Sequence, residues 1–347
     1  MSWIKIGYFL QFSGLGLFIM YLNLHYDRIG LSPEQIGILA SAYPLVGIFV
    51  NPFWGLAADA AADSRRILRG VLLAAGVFFA SLFFLRDFGL IFLVTVLFAV
   101  CYSPTLSLFD ALTLGTLSKR SGEYGRLRLW GSLGFVFPAL VLWAMPGENS
   151  HLKTIFPLFL VFCALTALAI SRCPNHKTHG GGGWLGLSAL QLFRQPMFVV
   201  FIISVFLQKV SLSGYYSFFS IYLDDLGVPE SAMGFFWGIG PVAEVAALFF
   251  ASWYLPRLGL RRVLLISFLM TSIRLAVLAW APPIPVLLAN QLLHAFTFGT
   301  THAASLAYLA RKGNDSNRSS VQGLYTMLCL QMGMVLGHTL AGVLVER

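Results

Sequence analysis

The sequence predicts an all-α integral membrane protein, two pseudo-symmetric six-helix halves in which the twelfth helix is missing and eleven spans remain. Three observations carry this. Of 347 residues, 58% are hydrophobic and only 11% charged, with a mean hydropathy of +0.79, a balance far from that of a soluble domain. Eleven segments stay apolar over about 20 residues, enough to cross a hydrocarbon layer roughly 30 Å thick at ~1.5 Å of rise per residue. The chain also repeats itself. Sliding it along by 197 positions places Phe9-Leu10-Gln11 on Phe206-Leu207-Gln208, Asp27 on Asp224, Gly30 on Gly227, Gly37 on Gly234, Pro44 on Pro241 and Arg65 on Arg262. Matches at helix and loop positions alike mark a parallel duplication of a six-helix unit.

In order, the first span, Ile4 to Tyr26, has no small-residue cleavage site behind it and is read as a retained helix, not a signal peptide. Ile36 to Ala58 and Ile67 to Leu85 enclose a loop carrying Arg65 and Arg66, with Arg69 just inside the third span. Leu90 to Leu112 and Leu127 to Met145 enclose Lys119, Arg120 and Arg126, and Arg128 follows at the mouth of the fifth span. Lys153 to Ser171 closes the first half, residues 1–171. A linker of residues 172–196 follows, with Arg172, Lys177, Arg194 and the flexible run Gly180 to Gly183. The second half, residues 197–347, holds Met197 to Leu223, Met233 to Leu255, Arg262 to Ala281, Ile284 to Leu309 and Gln322 to Val345. The 197-residue offset carries the sixth span past Arg347, so no twelfth span is predicted; the shortfall reads as a secondary loss.

The net charge of +9 follows from topology and needs no nucleic-acid partner. With the N-terminus in the cytoplasm, seventeen Lys and Arg lie inside and only Arg28, Arg86, Lys153 and Arg347 outside, which sets the orientation. Lys209 and Arg274 lie within spans. Cys101, Cys163, Cys173 and Cys329 are scattered and form no disulfide framework. Cys173, His176 and His179 make a C-x-x-H-x-x-H cluster that lacks a fourth ligand, so no metal is predicted. The N-x-S sequons at Asn314 and Asn317 fall on the cytoplasmic side, where glycosylation does not occur.

Gly55-x-x-x-Asp59 followed by Arg65-Arg66 resembles the basic loop motif of the major facilitator superfamily, and Arg257-x-x-x-Arg261-Arg262 is its degenerate echo. More specific are Tyr124-Gly125-Arg126-Leu127-Arg128-Leu129-Trp130-Gly131-Ser132, Tyr215-Tyr216-Ser217-Phe218 with Ile221-Tyr222, and Ala243-Glu244-Val245. With Asp110-Ala111-Leu112, Arg274, Leu293-His294 and His302-Ala303-Ala304, they resemble the phenylpropionate permease branch, related to lactose permease and nucleoside-proton symporters. The resemblance implies a major facilitator fold, proton-coupled uptake of a solute and alternating exposure of a central site between the halves. Lys209 departs from the group's pattern.

Charged groups inside a span are expensive and line a polar path or move protons, which points to Glu244, Arg274, His294 and His302 as the proton-coupling set. Glu244 follows Gly240-Pro241, and Arg274 in the next span is its expected counter-ion. The alternative is a buried pair that only holds helices together. His294, Thr301, Ser305 and Tyr308 make a polar stripe at helical spacing, with His302 beside it. Gln11 and Tyr21 in the first span and Lys209, Tyr215 and Tyr216 in the seventh are the substrate-binding candidates, the alternative being aromatic packing. Asp59 with Arg65, and Asp110 with Arg126 or Arg128, are expected to latch a cytoplasmic gate.

The expected function is proton symport of a small organic solute, an aromatic or other carboxylate because of Lys209 and Arg274. A sugar or nucleoside, or a non-transporting remnant, are the alternatives. Enzymatic motifs (a P-loop, a G-x-S-x-G elbow, a metal-hydrolase His and carboxylate pattern) are absent from the sequence, and no cofactor is expected. A monomer in a bacterial inner membrane completes the expectation.

Overall fold

The computed structural model describes residues 1–117, 124–145, 151–175, 190–312 and 318–346. His176, His179, the Gly180 to Gly183 run, Lys119, Arg120, Asn314 and Asn317 lie outside them. Every predicted span falls on a helix, and the described residues contain no strand. The helices are α1 Ser2–Arg28, α2 Pro33–Ala60, α3 Ser64–Ser81, α4 Phe88–Leu117, α5 Tyr124–Trp143 and α6 His151–Ser171 in the first half. The second half holds α7 Pro196–Asp225, α8 Glu230–Phe249, α9 Ala251–Ala279, a divided α10 and α11 Ser320–Glu346. Nine of the described helices are long and apolar enough on their own to cross a membrane. The two further spans are α5 and α10, the latter cut into Ile284–Gln291, a π-helical Ala295–Gly299 and Thr300–Lys312.

Local chemistry sets the helix ends. Ser32 and Gln35 form a reciprocal capping box before α2, with Pro33 in its first turn. Asp63 and Asp87 cap α3 and α4 by accepting from Arg65 N and Leu90 N. Ser103-Pro104 divides α4, since proline lacks the N–H a continuous helix needs. The predicted eighth span runs to Leu255, but α8 ends at Phe249, and residues 251–258 form a helical lead into α9 ending at Gly259 (φ 76°). Hydrophobicity runs unbroken across that boundary and so could not reveal it.

The duplication is visible in backbone hydrogen bonds. After α1, Gly30 N donates to Asp27 O at 2.9 Å and Leu31 N to Tyr26 O at 3.1 Å. After α7, Gly227 N donates to Asp224 O at 2.8 Å and Val228 N to Leu223 O at 3.0 Å. Each pair is related by the same 197-residue offset. Both glycines adopt positive φ, 87° and 74°, where a side chain is strained.

The chain divides into two compact units. Unit 1 comprises Met1–Gly182, Tyr216–Gly234 and Met334–Arg347. Its core is aromatic: Phe79 stacks on Phe159 at 4.0 Å, and Phe18, Phe98 and Tyr102 pack around them. The end of α7 is bound to α1 by Arg28 and Asp224 at 2.6 Å and by Asn23 Nδ2 donating to Ser217 O at 2.9 Å. Gly37 of α2 packs against α11, where a Cβ would sit 2.6 Å from His338 O, and its repeat mate Gly234 packs against Ala139 of α5. Unit 2 comprises Gly183–Tyr215 and Phe235–Gly333. Leu192, Phe198, Phe201, Ile202, Leu309, Val321 and Tyr325 form its apolar core.

Candidate transport site

Within unit 2, four helices bring polar groups together in an apolar surround. Arg274 of α9 is 1% exposed. It donates through Nη2 to Gln291 Oε1 at 2.9 Å and to the Tyr215 hydroxyl at 3.2 Å, and through Nη1 to Thr297 Oγ1 at 3.1 Å. Its guanidinium also lies 4.7 Å from the Tyr215 ring centroid. Arg274 and Glu244, the expected partners, are linked through His294. Arg274 Nη1 lies 3.3 Å from His294 Nδ1, and His294 Nε2 lies 3.3 Å from Glu244 Oε2.

The bridge fixes a tautomer. A guanidinium only donates, so the His294 nitrogen facing it must accept; the ring proton then sits on Nε2 and is donated to the Glu244 carboxylate. A doubly protonated imidazole would set one N–H against another. While Arg274 holds this position, Glu244 is the group of the three with room for a further proton.

Beside the bridge, the His294 ring lies parallel to Phe298 at 5.4 Å, and Phe298 parallel to His302 at 5.9 Å. Lys209 Nζ sits 5.4 Å from the Phe298 centroid. Gln208, its neighbour on α7, donates to Thr271 Oγ1 at 2.7 Å, Ser267 Oγ at 3.1 Å and Thr297 O at 3.2 Å, and accepts from Thr301 Oγ1 at 3.1 Å. Ser267 and Thr301 hydroxyls are in close hydrogen-bond contact. Gln208, Lys209, Leu212, Phe298, Thr301 and His302 help line a cavity of about 30 Å³, water-sized. The predicted stripe of His294, Thr301, Ser305 and Tyr308 is thus split: His294 faces Glu244 and Arg274, while Thr301 faces Gln208 and Ser267. The π-helical turn at Ala295–Gly299 comes between the two and breaks the regular helical period.

Unit 1 carries a counterpart. Gln11 donates to Thr105 Oγ1 at 2.7 Å, and Gln11, Phe12, Leu15, Tyr43, Tyr102 and Thr105 help line a cavity of about 20 Å³. Tyr21, another predicted substrate group, is fully buried, with its hydroxyl 3.5 Å from Glu230 O. Tyr216 belongs to unit 1, whereas Tyr215 belongs to unit 2 and is engaged with Arg274. Of the gating candidates, Asp110 is bound by Arg128 at 3.1 Å and by the Tyr8 hydroxyl at 2.6 Å, and Arg126 is exposed. Arg65 is held by Asp63 at 2.9 Å and donates to Cys173 O at 2.6 Å; Asp59 lies in the last turn of α2. Those hydrogen bonds from Arg65 hold the Asp63 carboxyl below the usual carboxylate range.

Sequence reasoning missed Thr297, Phe298, Gln291 and the Gln208 network. Only Gln208 carried a signal, as the repeat mate of Gln11. Among the described residues, no group of three or more His, Cys, Asp or Glu could hold a metal.

A duplicated helical bundle that crosses a membrane many times, with an acid, an imidazole and a guanidinium in contact inside one half, defines a membrane transporter and not an enzyme. The chain belongs to the MFS_1 like family, whose model matches residues 1–347, and is a major facilitator secondary transporter. It is 29% identical to a protein of Escherichia coli (strain K12) named "Probable 3-phenylpropionic acid transporter", covering 99% of this chain and 91% of that one. It is 24% identical to the nucleoside permease NupG of the same organism, covering 99% of this chain and 87% of the permease. The crystal structure of the nucleoside transporter NupG superposes with a TM-score of 0.87 at 20% identity, over 99% of this chain and 90% of that one. A D-xylose-proton symporter gives 0.72 at 15% identity, over 98% and 89%.

Proposed function

We propose that the protein imports an aromatic carboxylate together with a proton, across a bacterial inner membrane, as a monomer with its N-terminus in the cytoplasm. The carrying observation is the Glu244, His294 and Arg274 bridge beside Lys209. With Glu244 ionised, the formal charges of Lys209, Arg274 and Glu244 sum to +1. A carboxylate alone brings the site to zero and a proton alone to +2, whereas the two together restore +1. The loaded site and the empty one then carry the same charge, so changing exposure costs about the same for both, which is the condition for symport. The aromatic part of the reading rests on the phenylpropionate transporter relative and on Phe298, which offers a ring face beside the cation.

Unit 1 supports alternating access. The end of α7, the start of α8 and the end of α11 are bound to α1, α2, α5 and α6 through Arg28 and Asp224, Glu230 Oε2 accepting from Leu152 N at 3.2 Å, and the Gly37 and Gly234 contacts. With the N-terminus inside, these ends lie at the outer surface, and their contacts are the ones that would part when that side opens. Under the same orientation, the Asp110 and Arg128 pair, Arg65 with its hydrogen bond to Cys173 O, and Asp59 stand near the inner surface as gate groups.

The test is proton flux in proteoliposomes under no imposed gradient. Adding 3-phenylpropionate should alkalinise the outer medium, and excess neutral nucleoside should not compete. Uptake without alkalinisation would remove the coupling. Competition by the nucleoside would favour the second reading, a nucleoside symporter, which the permease relative supports.

A further inference from the structure

Most described cations in unit 1 that have a polar partner meet an acid or a carbonyl: Arg28 meets Asp224, Arg65 meets Asp63 and Arg128 meets Asp110. Lys5 and Arg172 do not. Lys5 Nζ lies 5.8 Å from the Trp130 ring centroid, and the Arg172 guanidinium lies 5.6 Å from that of Trp3. Neither has an ion pair with a described acid. Both rings remain open, Trp3 at 41% and Trp130 at 40% exposure.

These four residues come from three helix ends that pack side by side. Trp3 and Lys5 open α1, Trp130 lies in the second turn of α5, and Arg172 directly follows α6. From this end, exposed apolar side chains continue along each helix: Ile6 on α1, Leu129 and Leu133 on α5, Leu165 and Leu168 on α6. The α6 stripe of Val161, Leu165 and Leu168 follows i, i+4, i+7 spacing and meets Arg172 one turn later.

We propose that this end of α1, α5 and α6 is a binding site for an anionic phospholipid. Its phosphate takes the two cations, its interfacial ester region meets the indoles, and its acyl chains lie along the exposed stripes. A phosphate has the charge that Lys5 and Arg172 lack, and indoles favour the depth at which headgroup meets chain. Cations laid on indole faces are held in place, so less side-chain freedom is lost on binding. A soluble anion would match the charges but leave the apolar stripes uncovered; a zwitterionic lipid would cover the stripes but bring its own cation to the site.

The experiment uses the delipidated protein in detergent, read by native mass spectrometry for bound lipid and by thermal melting. Phosphatidylglycerol should bind and raise the melting temperature more than phosphatidylethanolamine does, and glycerol 3-phosphate should do neither. K5Q/R172Q should weaken phosphatidylglycerol binding by about thirtyfold, from the usual contribution of juxtamembrane cations. Lys153→Gln, at the opposite end of α6, should leave it unchanged. Trp3→Leu with Trp130→Leu keeps both charges and should still lose affinity severalfold; this pair is the deciding variant if the double glutamine protein melts below the wild type without lipid. Equal binding by wild type and variants, equal loss in Lys153→Gln, or protection by glycerol 3-phosphate alone would overturn the proposal.

Discussion

The cavity of unit 1 and that of unit 2 share one α-helical wall that the repeat relates, and differ elsewhere in their lining. Gln11, Phe12 and Leu15 line the first, and the 197-residue offset turns them into Gln208, Lys209 and Leu212, which line the second. Each glutamine donates at 2.7 Å to a threonine hydroxyl, Thr105 in one case and Thr271 in the other. The middle residue differs. In unit 1 position 12 is the aromatic partner, with the Arg128 guanidinium 4.8 Å from its ring. In unit 2 position 209 is the cation, 5.4 Å from the Phe298 ring. A cation and a ring thus lie together in both places, but the partner of position 12 comes from α5 and that of position 209 from α10, helices that the repeat does not relate. In unit 1 the cation is already neutralised by Asp110. In unit 2 Lys209 shows no ion pair with a described acid, and the proposed function gives its charge to the solute.

The difference sets the predictions. Largest should be Lys209→Phe, which gives unit 2 the residue of unit 1. Uptake of 3-phenylpropionate should fall by about a hundredfold in kcat/KM, the scale of losing a buried charge partner. Uptake at the wild-type rate would show that Lys209 does not meet the carboxylate.

The reverse change, Phe12→Lys, brings a second cation beside Arg128 with Asp110 as the only described acid on that arginine. It should destabilise the protein by about 3 kcal/mol, read as loss of folded protein in detergent at a temperature the wild type survives. An unchanged melt would mean that position 12 is open to water.

A third prediction concerns coupling through His294. Removing Arg274 alone should damage folding or transport more than removing Arg274 and Glu244 together, with a coupling of about 1–3 kcal/mol in a double-mutant cycle. Since the two groups communicate through the imidazole, the coupling should vanish when the cycle is repeated with His294→Phe. Simple additivity in the wild-type background would contradict the bridge.

The glutamines give the smallest effects. Gln208→Leu deserts several buried hydroxyls and should cost about 2 kcal/mol, against about 1 kcal/mol for Gln11→Leu, because hydrogen bonds inside a membrane protein each contribute little. Equal melting shifts would show that the two networks bear equal load.

How far this was legible in the sequence depends on which kind of information was needed. The duplication was legible because Asp27 with Asp224 and Gly30 with Gly227 recur at fixed spacing, and the same spacing reappears in their hydrogen bonds. Glu244, Arg274 and His294 stood out because charge inside an apolar segment is expensive. Their order in space was not legible. Sequence makes Arg274 the natural partner of Glu244, and only helix rotation and tilt place His294 between them. The division of α10 was hidden for a related reason: a helical wheel assumes about 3.6 residues per turn throughout, and the π-helical turn at Ala295–Gly299 interrupts that period between His294, which faces Glu244 and Arg274, and Thr301, which faces Gln208. Phe298 reads in the sequence as one more apolar residue, and only the fold sets Lys209 over its ring.

The proposed function has Glu244 carry the proton while Lys209 meets the carboxylate of the solute. Its most direct measurement pairs two assays on Glu244→Gln in proteoliposomes: accumulation of labelled 3-phenylpropionate under an inward proton gradient, and exchange of labelled for unlabelled solute with no gradient. The amide keeps the shape of the protonated acid but cannot release a proton. Accumulation should disappear, while exchange persists within about threefold of the wild type. Accumulation at the wild-type level would contradict the claim.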